Sequence, residues 1–335
     1  MDLALLKKAL QDPAAYPEPP GEIRFVETHI SLVFLTGEFA YKVKKPVNFG
    51  FLDFTTLEKR RHYCGQEVVL NRRLAPSLYL GVVPITEKDG RISLEGEGHP
   101  VEFAVKMRQV PEDFLLDRWL KRGELHPPMM EAVAEILARF YSEAATDDRI
   151  QSFARPERVK QDTDENFEQT ERYIGHTITQ EVYSEIKEKT DQFFQTREGL
   201  FYQRIREGRI RDCHGDLRLE HIFWGPEIAI IDCIEFNERF RYTDVAADLA
   251  FLAMDLDYHG REDLSGHLIR SYTMRSGDTG LAALLDFYKC YRAYVRGKVE
   301  SFRLDDPHLP EGEREGVRNR AEKYFALAHR YSQRF

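Results

Sequence analysis

The most informative part of the chain is Cys213–His221, with the sequence CHGDLRLEH, which is followed by the apolar run Ile228–Ile231 and then Asp232. Asp216 and Asp232 are sixteen positions apart, and each follows a short apolar segment that is typical of a strand. Phosphoryl transfer requires one acidic side chain that orients a hydroxyl and one that holds a metal ion. The two aspartates therefore predict a site for this chemistry.

The composition is that of an ordinary globular protein. The chain has 335 residues, 42% hydrophobic and 31% charged, which suffices for a sizeable core in one large domain or two lobes. A net charge of −9 disfavours a nucleic-acid partner, because phosphate backbones bind clustered Lys and Arg. We find no apolar run long enough for a signal peptide or a membrane span, so we expect a cytoplasmic protein without a membrane partner. Four scattered cysteines predict reduced thiols rather than a zinc ribbon or a disulfide framework.

The N-terminal part is predicted to be a small lobe of strands with one helix. Alternating apolar residues on both sides of Thr36-Gly37-Glu38 predict an antiparallel hairpin. The capping-box pattern Thr55-x-x-Glu58 predicts a helix from about Thr56 to Leu74. Two more apolar runs, the second ending at Met107, predict further strands. We therefore expect a nucleotide-binding lobe over residues 1–109.

Helical periodicity dominates the rest of the chain and predicts a larger, mainly helical lobe over residues 110–335. Its polar middle part, 162–206, predicts long, partly solvated helices with a break near Gly175. Two short strands around Gly225-Pro226-Glu227 predict a hairpin that carries Asp232. The predicted fold class is α+β, with a small antiparallel sheet followed by a helical lobe.

Several motifs resemble the aminoglycoside phosphotransferase family: His214-Gly215-Asp216-Leu217, His221-Ile222, Ile231-Asp232 and Asp244-Val245-Ala246-Ala247-Asp248-Leu249-Ala250. The resemblance extends over residues 22–299 and is strongest over 213–257. It implies the bilobal fold of protein kinases and the transfer of phosphate from ATP to a hydroxyl group of a small molecule. Residues 39–46 and 232–237 resemble an uncharacterised bacterial branch of this family, some members of which are fused to a separate P-loop domain.

No Walker A pattern is present, so a nucleotide site would be of the kinase kind. In that kind, a strand lysine contacts the α- and β-phosphates and a helix glutamate holds the lysine. Ala40-Tyr41-Lys42-Val43 resembles the kinase V-A-I-K segment and makes Lys42 the candidate, with Lys44 on the same strand face as the alternative. Glu67 lies on an apolar helix stripe, where a charge requires a partner. The resemblance implies that this partner is the strand lysine.

The chain departs from the kinase pattern at two positions. In place of a Gly-rich phosphate loop it has Thr28-His29-Ile30-Ser31, where the Ser31 hydroxyl and backbone amides are the candidate phosphate contacts. The choice between ATP and GTP stays open. Five residues after Asp216, kinases have a metal-binding asparagine, and this chain has His221. Imidazole suits Mg²⁺ less well than an amide oxygen. Either His221 binds a metal such as Mn²⁺, or it bonds Asp216 or a phosphate and leaves the second ion to Glu235.

Other residues are assigned supporting roles. The resemblance implies that Asp244 and Asp248 brace the loop around Asp216, and Asp244 also has the position of a helix cap. Met107 and Gln109 lie at the lobe boundary, where the backbone of a hinge would pair with adenine.

Two further interpretations concern ligands. Cys213, His214 and His221 could form a transition-metal cluster, although their spacing matches no recognised site. Several acidic residues could line a pocket for a cationic acceptor, or could simply lie at the surface: Glu235, Glu238, Asp255, Asp257, Glu262 and Asp263.

The sequence thus predicts an ATP-dependent kinase acting on a small hydroxylated molecule with Mg²⁺, or alternatively Mn²⁺. Lys42 and Glu67 would position the phosphates, Asp232 would hold the metal and Asp216 would orient the hydroxyl. Two functions of the same fold stay open as alternatives, an ATP-binding sensor without transfer activity and an enzyme that transfers AMP to a protein. The acceptor is not specified, and the protein is expected to be a monomer or a homodimer.

Overall fold

The structure, a computed structural model, describes residues 2–335. Contacts divide the chain into two compact units, Met1–Gly123 with Glu220–Glu238, and Glu124–Leu219 with Arg239–Phe335. The predicted lobe boundary between residues 109 and 110 stays a prediction. The sequence analysis expected the hairpin that carries Asp232 to belong to the helical lobe. The contacts instead assign it to the N-terminal unit.

The first unit is built on a six-stranded antiparallel sheet with the strand order β1-β2-β3-β6-β4-β5. Its strands are β1 (Arg24–Glu27), β2 (Ser31–Leu35), β3 (Phe39–Lys44), β4 (Tyr79–Lys88), β5 (Arg91–Leu94) and β6 (His99–Arg108). Three helices accompany the sheet, α1 (Leu3–Leu10), α2 (Leu57–Asn71) and α3 (Leu116–Lys121). A separate antiparallel hairpin consists of β8 (Ile222–Trp224) and β9 (Ile228–Ile230), as the sequence predicts.

The β2–β3 hairpin confirms the turn predicted at Thr36-Gly37-Glu38. Gly37 has a φ of 91°, a conformation that favours glycine. Side chains alternate along β3, so Tyr41 and Val43 pack in the apolar core that includes α1. Lys42 and Lys44 consequently share the opposite face of the strand.

Helix α2 is present where the sequence predicts it, but the predicted capping box is one residue out of register. The side chain of Thr56 caps the helix by accepting the N–H of Lys59 at 3.3 Å. Thr55 instead bonds Asp53, whose carboxylate accepts both its N–H and its hydroxyl. The helix ends at Asn71, earlier than predicted.

The second unit is mainly helical. Its helices are α4 (Pro127–Glu143), α5 (Asp148–Ser152), α6 (Pro156–Thr170), α7 (Gln180–Arg206), α9 (Val245–Tyr258), α10 (Glu262–Ser276), α11 (Ala282–Arg303) and α12 (Glu311–Ser332). The short helix α8 (Glu238–Arg241) begins at the end of the first unit. Strands β7 (Ile210–Asp212) and β10 (Tyr242–Asp244) pair antiparallel. The predicted break near Gly175 separates α6 from α7, and Gly175 has a φ of 80°.

An aromatic-rich core joins α6, α7, α9, α11 and α12. It buries Phe167, Ile186, Met254, Tyr294 and Phe325. This packing anchors α9, the helix that supports the loop around Asp216. No helix between residues 2 and 335 is both long and apolar enough to cross a membrane.

Candidate active site

Lys42 lies between two carboxylates of the first unit. Its Nζ is 2.9 Å from Glu67 Oε1 and 2.7 Å from Asp232 Oδ1. Burial lowers the pKa of Lys42, but the attraction of Asp232 and Glu67 outweighs burial and raises the pKa well above its ordinary value. Lys42 is therefore a cation held between a helix and the end of a hairpin.

Lys44 forms a second set of ion pairs on the same strand face. Its Nζ is 2.7 Å from Glu67 Oε2 and also contacts the Glu235 carboxylate. The Lys44 side chain is fully buried, whereas that of Lys42 is 16% exposed. Because a phosphate group enters from solvent, this difference favours Lys42 for a phosphate contact.

Glu67 contacts both lysines, one with each carboxylate oxygen. Burial raises the pKa of Glu67, but Lys42 and Lys44 outweigh burial and lower it below the ordinary value. Glu67 thus forms the predicted ion pair between a helix glutamate and a strand lysine twice, once with Lys42 and once with Lys44. The sequence analysis treated the two lysines as alternatives, and Glu67 binds both.

Asp232 follows β9 in an unusual backbone conformation. Its φ of 64° is rare for a residue other than glycine, and such strain persists where the surroundings enforce it. The Tyr79 hydroxyl accepts the N–H of Asp232 at 3.2 Å, and Asn71 Oδ1 accepts the N–H of Cys233 at 2.9 Å. The Asp232 side chain is 46% exposed, and its Oδ2 lies 3.7 Å from His221 Nε2.

The predicted metal ligands are only partly brought together. Across residues 2–335, no three His, Cys, Asp or Glu side chains gather as a metal site would require. Asp232 and His221 are neighbours, whereas the Glu235 carboxylate is buried against Lys44. Mg²⁺ at nucleotide sites is usually bound by one or two carboxylates together with phosphates and water. Asp232 therefore fits a metal that arrives with a nucleotide, and metal roles for His221 and Glu235 stay predictions.

Ser31 supplies an observation that fits a bound phosphate. It is the first residue of β2, is paired in register with Lys44, and donates its N–H to Thr28 Oγ1 at 2.9 Å. Its Oγ is buried and has no hydrogen-bond partner within residues 2–335. Directly paired residues of neighbouring strands share a sheet face, so this unsatisfied hydroxyl lies on the lysine face. Phosphate binding by Ser31 stays a prediction.

The predicted hinge residues are engaged within the sheet. Met107 pairs in register with Ala40 and Tyr79, one on each neighbouring strand. The N–H of Gln109 donates to the Glu38 carbonyl at 2.8 Å, and its side chain accepts the N–H of Gly37. These bonds disfavour the N–H of Gln109 as an adenine donor.

In the second unit, a buried carboxylate on α9 holds the loop that contains Asp216. Asp248 accepts the N–H of His214 at 2.9 Å and the N–H of Gly215 at 2.8 Å, and it also accepts the Tyr141 hydroxyl at 2.9 Å. Gly215 has a φ of 90°, which favours glycine. The geometry agrees with the bracing role that the resemblance implies for Asp248.

Other acidic residues of this unit also serve internal contacts. Asp244 caps α9 by accepting the N–H of Ala246 at 2.8 Å and pairs with Arg204 at 2.7 Å. Asp255 accepts the N–H of Leu219 at 2.9 Å. Asp257 is also buried, and its Oδ2 lies 2.9 Å from Lys289 Nζ. Asp255 and Asp257 therefore give little support to an acidic acceptor pocket.

Asp216 forms a bidentate pair with Arg218. The Nε and Nη2 atoms of Arg218 lie 2.8 and 2.9 Å from the two carboxylate oxygens, and this arrangement fixes the orientation of the carboxylate. The N–H of Asp216 donates to His214 Nδ1 at 3.3 Å. The convergence of Asp216 with Asp232 around one ion stays a prediction.

The sequence analysis missed three residues that support this geometry, Asn71, Tyr79 and Arg218, and it considered a fourth, Asp255, only for an acidic pocket. Two of them carried a usable signal. Asn71 lies four residues after Glu67, on the same helix face, and Arg218 lies two residues after Asp216. Tyr79 and Asp255 are distant in sequence from the backbone groups they bind, so no local pattern identifies them.

Comparison with known proteins identifies the class. The model of the Phosphotransferase enzyme family matches residues 89–292, and the chain belongs to this family. Uncharacterised proteins of Mycobacterium tuberculosis and Mycobacterium bovis are 38% identical to it over 303 residues, which is 90% of this chain and 59% of each relative. The chain therefore spans about three fifths of the length of these relatives.

The likeness to the solved structure of a choline/ethanolamine kinase family protein supports the protein-kinase-like fold, with an antiparallel sheet in the N-terminal lobe and a helical C-terminal lobe. A choline/ethanolamine kinase family protein from Mesorhizobium loti has a TM-score of 0.52 at 13% identity, covering 98% of this chain and 99% of its own. An aminoglycoside phosphotransferase from Streptomyces rimosus, solved with ADP and streptomycin, has a TM-score of 0.44 at 16% identity, with coverage of 97% and 99%. The predicted fold class is confirmed.

Proposed function

We propose that this member of the phosphotransferase family is a kinase that transfers the γ-phosphate of ATP to a hydroxyl group of a small molecule. The observation that carries the proposal is the position of Lys42 between Glu67 and Asp232. Kinases of this fold require a strand lysine held by a helix glutamate, together with an aspartate for the metal. Here the three side chains meet in one contact network.

Each residue would have a defined task. Lys42 would contact the α- and β-phosphates, and the hydroxyl of Ser31 would contact a phosphate oxygen. Asp232 would hold Mg²⁺, or Mn²⁺ with His221 as a neighbour, and the metal would neutralise phosphate charge. Asp216 would accept a hydrogen bond from the acceptor hydroxyl, with Arg218 fixing the direction of its carboxylate.

The acceptor is proposed to be a small hydroxylated molecule rather than a nucleic acid, because the chain has a net charge of −9. The fold does not define the acceptor further, since one fold supports many substrates. We also propose a cytoplasmic location and a monomeric or homodimeric state. The mycobacterial relatives are longer than this chain. The proposal therefore concerns this chain and does not extend to the activity of the longer relatives.

The proposal is tested with ATP labelled in the γ- or α-phosphate and a panel of hydroxylated metabolites. We expect label from the γ-position, and not from the α-position, to appear in at least one small molecule. Asp216→Asn should reduce that transfer by about 10²–10⁴-fold, the usual contribution of a positioned general base. Its affinity for MgADP, measured by calorimetry, should change little.

Other outcomes would contradict the proposal. Binding of MgADP without transfer to any acceptor would indicate a sensor. Transfer of the α-label to protein would indicate an AMP transferase. Full activity of Asp216→Asn would remove the role assigned to that residue.

A further inference from the structure

Five charged side chains of the first unit form a continuous series of ion pairs, here called the ion-pair ring: Asp232, Lys42, Glu67, Lys44 and Glu235. Negative and positive groups alternate along the series. Both ends lie in the same short segment, because Asp232 and Glu235 are three residues apart. The backbone between these two residues closes the ring.

Exposure differs sharply around the ring. The side chains of Lys44, Glu67 and Glu235 are 0%, 1% and 5% exposed, whereas Asp232 is 46% exposed. Buried charges are stable only when they are paired. Lys44 pairs with two buried carboxylates, so Glu67 and Glu235 keep a cationic partner whatever Lys42 contacts.

The segment after Asp232 is also fixed to the loop that follows β3. The Phe236 ring packs against Phe51 and Phe54, with ring centroids 6.0 and 6.4 Å apart. Asn237 Nδ2 donates to the Phe51 carbonyl at 3.0 Å. Lys44 Nζ lies 4.9 Å from the centre of the Phe54 ring. Three consecutive residues therefore contact Lys44 or the loop that follows β3: Glu235, Phe236 and Asn237. These contacts hold Glu235 in place relative to Lys44.

We propose that Lys44 and Glu235 are positioning residues that set the exposed carboxylate of Asp232 and the ammonium of Lys42 for nucleotide and metal binding. The inference rests on the proposed function and deepens it. Lys44 occupies one oxygen of Glu67 and leaves the other to Lys42. Glu235, tied to Lys44, fixes the segment that begins at Asp232. Neither residue needs to touch the nucleotide.

The test uses the double variant Lys44→Met with Glu235→Leu, which removes both charges and keeps apolar volume. Lys44→Met alone should lower the melting temperature, because Glu67 and Glu235 lose a partner. The double variant should recover most of that loss. Its affinity for MgADP should nevertheless fall by about 10–100-fold, as is usual when residues that orient metal ligands are removed. Its affinity for ADP without metal should change much less.

A matched control is the buried pair of Arg60 on α2 and Glu102 on β6, which lie 2.7 Å apart and form no ion pair with a member of the ring. Arg60 also donates to the Phe54 carbonyl, so this control includes a contact to the loop that follows β3. Arg60→Met with Glu102→Leu should leave the effect of Mg²⁺ on ADP affinity unchanged. If the ring double variant regains both stability and wild-type MgADP affinity, Lys44 and Glu235 are only structural and the inference is overturned. If the wild-type protein does not bind MgADP, the proposed function fails and the inference fails with it.

Discussion

Asp248 Oδ1 accepts the backbone N–H of Gly215 at 2.8 Å, so a buried side chain of α9 fixes the bend that precedes Asp216. The second oxygen of the same carboxylate accepts the N–H of His214. A carboxylate suits this task because both of its oxygens accept hydrogen bonds. The position of the proposed base is thereby coupled to the helical core.

Replacing Asp248 should damage stability and turnover together. In Asp248→Asn, the amide offers one acceptor oxygen, so one buried N–H of the loop loses its partner at a cost of about 1–3 kcal/mol. The free energy of unfolding is measured by urea denaturation. Tyr141→Phe removes a single hydrogen bond to Asp248 and should cost only about 0.5–1.5 kcal/mol. Equal stability of wild type and Asp248→Asn would show that the bracing bonds contribute nothing.

Loss of Lys42 should impair catalysis without unfolding the protein. Glu67 keeps Lys44 as a partner, and Asp232 is exposed enough to be hydrated. We expect Lys42→Met to lower turnover by about 10²–10³-fold, which is typical for the removal of one preorganised electrostatic contact. Steady-state kinetics and the melting temperature measure the two effects.

Lys106 supplies the control for Lys42. It lies in the same sheet and pairs with Glu95 at 2.6 Å, away from the ion-pair ring. Lys106→Met should retain wild-type turnover. A Lys42→Met protein that is as active as Lys106→Met would exclude Lys42 as the phosphate contact.

Lys298 should make stability depend on pH in the alkaline range. Burial lowers the pKa of Lys298 to about 8 from an ordinary value of about 10.5. Between these values the unfolded chain binds more protons than the native protein, so this group makes stability rise with pH across the window. Lys298→Met lacks the partly buried ammonium and should be more stable than wild type below pH 8. That advantage should shrink as the pH approaches 10.5.

The competing effect at Lys298 is its hydrogen bonding. Its Nζ donates to Asn166 Oδ1 at 2.6 Å and to Gln169 Oε1 at 2.7 Å. If these bonds outweigh burial, the wild type would be the more stable protein at pH 7. Urea denaturation of both proteins from pH 7 to pH 10.5 distinguishes the two cases.

The cysteines should react slowly in the native protein. All four are buried, and burial raises the pKa of the Cys64 thiol to about 12. Since the thiolate is the reactive form, a chromogenic disulfide reagent should label the native protein very little. It should label four thiols after unfolding in urea. Rapid labelling of the native protein would contradict the buried placement.

Local patterns account for the parts of the structure that the sequence predicted well. Alternation along β3 placed Lys42 and Lys44 on one face, and the apolar stripe of α2 indicated that Glu67 needs a partner. The turns at Gly37 and Gly175 followed from residues that adopt positive φ. The capping box failed by one residue, because Asp53 binds Thr55 and leaves Thr56 to cap the helix.

Contacts between distant residues could not be predicted in the same way. Lys44 and Glu235 are 191 positions apart, and no periodicity links them. The sequence analysis assigned both residues by position relative to a motif, Lys44 as the alternative phosphate contact and Glu235 as a candidate metal ligand. Lys44 and Glu235 form a buried pair because of the way the hairpin of β8 and β9 packs within the first unit.

The most direct test of the account is a crystal structure of the protein with Mg²⁺ and a non-hydrolysable ATP analogue. We predict an oxygen of Asp232 about 2.0–2.1 Å from the metal, the ammonium of Lys42 on the phosphates, and the carboxylate of Asp216 facing the γ-phosphate. The account is contradicted if Asp232 keeps Lys42 as its partner while the metal binds elsewhere, or if Asp216 and Asp232 face apart with no triphosphate between them.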